Sequence, residues 1–192
     1  MVPATEVFTD LFGHLDQLKI PYIVGGSFAS GSWGNPRQTN DLDIAIKIRP
    51  DQVEPLVQGL GDRYMVSQTD IVDAMTSRET YRSFQLLHFQ QVFKIDVFVP
   101  LPSEYVDEEF ARGRRIEFVP GVTANCSSPE CIVIQKLRWF DLGNRVSDRQ
   151  WNDIVQVLEI QRGLLDEGFL DKWATHFGLL DLLQSARGQV KA

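Results

Sequence analysis

The run Asp41-Leu42-Asp43-Ile44-Ala45-Ile46-Lys47-Ile48 constrains this chain more than any other stretch. Leu42, Ile44, Ile46 and Ile48 alternate with Asp41, Asp43, Ala45 and Lys47, and a period of two selects a β-strand with one buried face. Asp41 and Asp43 then stand side by side on the other face. Neighbouring carboxylates repel in water, and a divalent cation shared with a polyphosphate lowers that cost. The run therefore predicts a half-buried strand carrying part of a metal and nucleotide site. Upstream, Tyr22 to Val24 predicts a short buried strand, followed by Gly25-Gly26-Ser27 and a short helix to Trp33. Such a turn has backbone N–H groups unobstructed by side chains and one hydroxyl, the makings of a phosphate cradle. Gly34-Asn35-Pro36 ends the helix, which puts Arg37 and Thr39 at the mouth of the expected site. A third carboxylate, Asp96, interrupts the apolar run Val92 to Val99. Buried there, it needs a partner, and a metal shared with a neighbouring strand, Lys94 or an arginine would serve.

The remaining segments predict a mixed α/β region through residue 126 and a helical region over 127–192. Val7, Phe8, Leu11, Phe12, Leu15 and Leu18 recur at helical spacing between Thr5, read as the cap, and Ile20, with Pro21 as the stop. A helix is expected from Pro50 to about Leu60, a strand from Tyr64 to Val66 and a helix from Asp70 to Ser77. Tyr81–Phe89 and Val92–Val99 read as two strands joined by a turn near Gln90 and Gln91. A helix from Ser103 to Ala111 precedes the basic residues Arg112, Arg114 and Arg115 and a strand from Ile116 to Val119. Ser128-Pro129 starts a helix to Leu142, Ser147 and Asp148 start one from Arg149 to Gln161, and a last helix from Phe169 aligns Phe169, Trp173, Phe177, Leu180 and Leu183. No Pro/Gly/Ser-rich linker separates the two regions, so the helices are expected to pack on the sheet.

Composition narrows the function classes. With 43% hydrophobic and 23% charged residues the chain is expected to fold rather than stay disordered. A net charge of −7 argues against a broad nucleic-acid surface, while an RNA substrate stays open. Cys126 and Cys131 lack CxxC spacing, which disfavours a zinc site or a disulfide framework. No apolar run approaches the ~20 residues that span a bilayer, and no leader pattern opens the chain, so a cytoplasmic location without membrane contact is expected. His14, His88 and His176 are scattered and read as packing or surface residues. Trp33, Trp139, Trp151 and Trp173 read as core, with Trp33 close enough in sequence to the cradle to face a nucleobase.

Val24-Gly25-Gly26-Ser27 followed by Arg37-x-Thr39-x-Asp41-Leu42-Asp43-Ile44 resembles the signature of the DNA polymerase β-like nucleotidyltransferase superfamily. Lys94-Ile95-Asp96-Val97-Phe98 resembles its third-acid strand. Ser128-Pro129-Glu130, Gln135-Lys136-Leu137 and Asp148-Arg149-x-x-x-Asp153-Ile154 are similar to the helices of its minimal bacterial branch related to AbiEii-type toxins. The likeness spans Tyr22 to Leu158, with Trp151 standing where a polar or acidic residue is expected and a long spacing before Asp41.

The resemblance implies an α/β (α+β) fold, a nucleotidyltransferase-like mixed β-sheet flanked by helices, with a C-terminal helical region. It implies Mg2+ or Mn2+ held by the catalytic residues Asp41, Asp43 and Asp96, and an NTP contacted by Gly25, Gly26, Ser27, Arg37, Thr39 and Lys136. For Lys136 the bland reading is a solvated helix lysine; for Asp153 it is a surface pair with Arg149 or Arg145. The activity implied is transfer of an NMP from an NTP to an acceptor hydroxyl on a tRNA end, a protein or a small molecule such as an aminoglycoside or lincosamide. An antitoxin-type protein partner accompanies the toxin branch. The rivals are a nucleotide-binding or antitoxin-like module with little or no turnover, and a plain α/β interaction domain whose acids decorate its surface.

Overall fold

The alternating acidic run lies at the middle of a seven-stranded mixed sheet. The computed structural model describes residues 4–79, 81–90 and 93–190. In chain order the strands are β1 (Tyr22–Val24), β2 (Asp41–Ile46), β3 (Tyr64–Met65), β4 (Ser83–His88), β5 (Lys94–Phe98), β6 (Arg114–Val119) and β7 (Val122–Cys126). The helices are α1 (Ala4–Gln17), α2 (Gly26–Trp33), α3 (Pro50–Leu60), α4 (Gln68–Thr76), α5 (Glu104–Ala111), α6 (Pro129–Leu142), α7 (Asp148–Ile160), α8 (Glu167–His176) and α9 (Leu180–Arg187). The chain divides into two compact units, Met1–Val24 with Thr39–Cys126, and Gly25–Gln38 with Ser127–Ala192.

The first unit holds the whole sheet, in the order β3-β4-β5-β2-β1-β7-β6. β2 pairs parallel with β5, and β1 pairs parallel with β7; the other pairings are antiparallel. Leu42, Ile44 and Ile46 of β2 and Ile95 and Val97 of β5 are buried to 1% exposure or less, as the period of two requires. Each such side chain stabilises the fold by about 1.5–3 kcal/mol on burial. From α1, Val7, Phe8, Leu11, Phe12 and Leu15 are buried, and the Phe12 ring stacks on Tyr22 of β1 with centroids 4.9 Å apart.

Several boundaries differ from the sequence expectation. Thr5 lies inside α1, where its carbonyl accepts from the Thr9 hydroxyl, so it is not the cap. That helix ends at Gln17, and the chain turns through Lys19 at φ 53°. β2 ends at Ile46, β3 has only two residues, and α4 starts at Gln68 because Ser67 caps it through the Asp70 N–H. β6 begins at Arg114 and turns through Gly121, at φ 80°, into β7, a strand the sequence did not announce. The expected turn residue Gln91 and strand start Val92 lie outside the described residues.

The second unit is helical. Ile132, Val133, Ile134, Leu137 and neighbouring Cys131 make α6 apolar nearly all round, which fits a helix buried among others. Ser128, Ser147 and Asp166 cap α6, α7 and α8 through the amides of Cys131, Gln150 and Phe169. The single helix expected from Phe169 is instead two. Gly178 takes φ 70° and Leu179 N–H bonds to Ala174 O, which closes α8 before α9 begins. Leu180 is 38% exposed and so leaves the predicted stripe. No helix of the described residues is long and apolar enough to cross a membrane.

Candidate active site

The parallel register of β2 and β5 determines what the acidic face presents. Asp41 lies opposite Lys94 and Asp43 opposite Asp96. Facing residues in such a pair share one side of the sheet, so three carboxylates and one ammonium occupy one face while Leu42, Ile44, Ile95 and Val97 fill the other. Lys94 Nζ sits 2.7 Å from Asp96 Oδ2, and Gln85, opposite Asp96 on β4, donates to Asp96 Oδ1 at 3.0 Å. The Lys94 ammonium is held above its ordinary pKa by the hydrogen bond to Asp96, against the opposing effect of desolvation, with the charges of Asp96, Asp41 and Asp43 adding to the rise. Asp96 is 17% exposed, and Asp41 is exposed at the strand start, where Thr39 Oγ1 makes a long 3.4 Å contact to its carbonyl.

This donor set fits a hard divalent cation. Carboxylate oxygens suit Mg2+ or Mn2+, and Lys94 shows that the face already attracts positive charge. Among the described residues no three acidic, histidine or cysteine side chains converge as a ready-made metal cage. Asp96 is turned toward Lys94 and Gln85.

The second unit carries the glycine turn. Gly25 precedes α2 without any side-chain cap, and Gly26 opens the helix at φ 57°, a conformation costly to an L side chain. The Ser27 hydroxyl accepts a hydrogen bond from Arg37 Nη2. Arg37 Nε lies 3.2 Å from Asp153 Oδ1 and its Nη2 lies 3.2 Å from Oδ2, while Lys136 Nζ reaches Oδ2 at 2.8 Å and Gln150 Oε1 at 3.0 Å. The side chains of Lys136 and Asp153 are 4% and 6% exposed. Burial opposes ionisation of Asp153, but the hydrogen bonds from Arg37 and the charge and hydrogen bond of Lys136 outweigh it and hold the carboxyl below its ordinary range.

Two bland readings fail here. Lys136 is not a solvated lysine, and Asp153 does not pair with Arg149 or Arg145; Arg145 binds Asp141 and Asp181 instead. The sequence held the signal: Asp153 lies four residues before Val157, and Lys136 lies between Val133 and Phe140, both on buried helical stripes. The structure therefore joins Ser27, Arg37, Lys136 and Asp153 in one unit and Asp41, Asp43, Lys94 and Asp96 in the other. Trp33 Nε1 donates to Ser127 O at 2.7 Å, and Trp139 is 40% exposed rather than core.

No protein-family profile matches the chain, and no curated protein matches it. Solved structures do. The antibiotic-resistance factor ANT(2'')-Ia, in solution, is 12% identical with a TM-score of 0.59, covering 95% of this chain and 97% of its own. A crystal structure of ANT(2")-Ia in complex with adenylyl-2"-tobramycin is 14% identical with a TM-score of 0.58, over 91% and 98%. The lincosamide antibiotic adenylyltransferase LnuA, lincomycin-bound, is 16% identical with a TM-score of 0.51, over 83% and 98%. At these identities the likeness is one of fold, and the fold shared is that of nucleotidyltransferases.

Proposed function

We propose that this protein is a metal-dependent nucleotidyltransferase that moves an NMP from an NTP to a hydroxyl of a small acceptor. The observation that carries the reading is the acidic face, where Asp41, Asp43 and Asp96 stand together on two paired strands of a fold used by adenylyltransferases. Asp41 and Asp43 hold and orient divalent metal, and Asp96 completes the ligand set. When bound, Mg2+ or Mn2+ neutralises triphosphate charge and makes the acceptor hydroxyl more acidic. Asp96 takes the hydroxyl proton. The acceptor oxygen then bonds to the α-phosphorus as the bond to pyrophosphate breaks.

Gly25, Gly26 and Ser27 bind phosphate oxygens, as their motif suggests. Because Arg37 donates to the Ser27 oxygen, the Ser27 proton is left to point at another acceptor. Thr39 steadies the start of β2. Lys136 acts through Asp153, which fixes Arg37. A small acceptor is favoured by the tobramycin and lincomycin named with the structural neighbours, and a net charge of −7 disfavours a polyanionic RNA.

Calorimetric titration of NTP tests the metal-binding role of the acids. Wild type is expected to bind at least tenfold more tightly with Mg2+ than with EDTA, and Asp43→Asn to lose that difference. Equal response of both proteins to Mg2+ refutes the assignment.

A further inference from the structure

The second unit contains a cavity of about 390 Å³ that lies beside the Arg37–Asp153 pair. Its walls are the α7 face formed by Arg149, Asn152, Asp153 and Gln156, together with the segment around Asn35 and Arg37. The spacing of three, four and seven residues from Arg149 puts those α7 side chains on one side of the helix. Asp153 is the only carboxylate in the lining, and both its oxygens are engaged by Arg37, one of them also by Lys136. Its charge is thus already compensated by two cations.

The donors stand differently. Arg149 is exposed and has no hydrogen-bond or ion-pair partner among the described residues, and the same holds for the side-chain amides of Asn152 and Gln156. Two guanidinium groups against one carboxylate leave the lining net positive in a chain of net charge −7. A guanidinium with two amide neighbours matches an oxyanion, and a phosphate group offers three terminal oxygens to these donors where a carboxylate offers two. The volume exceeds that of a bare anion and falls in the range of small-molecule sites.

From these observations we infer that the cavity is a binding site for the phosphate groups of a small molecule, anchored by Arg149 with Asn152 and Gln156. Arg37 forms its back wall. The site uses none of Asp41, Asp43 and Asp96, and it meets the nucleotidyl-transfer reading only at Arg37 and Asp153.

Titration of the whole protein in EDTA at low ionic strength keeps the two apart, because metal-dependent binding at the acidic face is then silent. The probes are ATP, tripolyphosphate and adenosine. ATP and tripolyphosphate are expected to bind and adenosine not to; tighter binding of ATP would identify a nucleotide as the bearer of the phosphate, and equal binding a free polyphosphate. Arg149→Gln, which has no ion pair to lose on folding, is expected to weaken binding at least tenfold. Arg162→Gln, which removes the same charge elsewhere on this unit, is expected to leave it unchanged. Wild-type affinity in Arg149→Gln, equal losses in Arg149→Gln and Arg162→Gln, or no binding of either phosphate would overturn the inference.

Discussion

Replacing Asp153 with leucine strands a buried cation. The Lys136 side chain is 4% exposed, and its ammonium lies 2.8 Å from the carboxylate that the substitution removes. Breaking a buried pair from one side costs about 3–5 kcal/mol, because the remaining charge loses its compensation. Lys136→Met is milder, since Asp153 keeps both contacts from Arg37; about 1–3 kcal/mol is expected. In Lys136→Met/Asp153→Leu both buried charges go, and Arg37, 27% exposed, turns to water. That double variant should lie within about 2 kcal/mol of wild type, so the cycle should return a coupling of roughly 2 kcal/mol or more. The assay is unusually selective. All four tryptophans (Trp33, Trp139, Trp151, Trp173) belong to the helical unit, and all four tyrosines (Tyr22, Tyr64, Tyr81, Tyr105) belong to the sheet unit. Urea unfolding followed by tryptophan fluorescence therefore reports on the unit that holds the pair. At a urea dependence of about 2 kcal/mol/M, Asp153→Leu should lower the midpoint by about 2 M. A loss below about 1 kcal/mol, or a double variant no more stable than Asp153→Leu, would refute the reasoning.

Other expectations follow from the same contacts. Asp153 has its folded-state pKa depressed, so its contribution to stability is complete above the unfolded carboxylate value and is lost as pH falls through the folded one. Acid titration of the tryptophan-monitored midpoint should therefore fall more steeply below about pH 4 in wild type than in Lys136→Met/Asp153→Leu. A Cβ built at Gly59 of α3 would come within 1.7 Å of the His14 ring, so Gly59→Ala should destabilise the sheet unit by about 1–3 kcal/mol. In a His14→Ala background the same change should be neutral or stabilising, since alanine favours a helix interior; circular dichroism during urea unfolding reads both. Burial pushes the Cys126 thiol up to about 12, and Cys131 is fully buried, so a thiol reagent at pH 8 should label neither until the protein unfolds.

The parts of the fold that were legible in the sequence are those whose periodicity was strong. β2 and β5 alternate cleanly, and the three acids could be placed on their polar faces before any coordinates. That Asp43 lies opposite Asp96 follows only from the parallel pairing, which depends on a long connection and leaves no local trace. β7, Val-Thr-Ala-Asn-Cys, buries Val122, Ala124 and Cys126, but its small side chains make the alternation faint. The break between α8 and α9 hides in an apolar stripe that runs through Gly178, where one positive φ decides the outcome. Lys136 and Asp153 were singled out, but their mutual partnership was not, because residues 17 apart on two helices meet only through tertiary packing. Arg149 is legible in the sequence as the start of a helix and as a rival partner for Asp153, and its position on a cavity wall needs the folded helix.

Label transfer tests the central claim most directly. With ATP, GTP, CTP or UTP labelled at the α-phosphorus, Mg2+ and a panel of aminoglycosides and lincosamides, wild type should move label onto an acceptor and release pyrophosphate. NTP labelled at the γ-phosphorus should leave the acceptor unlabelled. Asp43→Asn and Asp96→Asn should abolish transfer while their urea midpoints show that both units remain folded. Transfer of the γ label, or undiminished transfer by Asp43→Asn, would contradict the account.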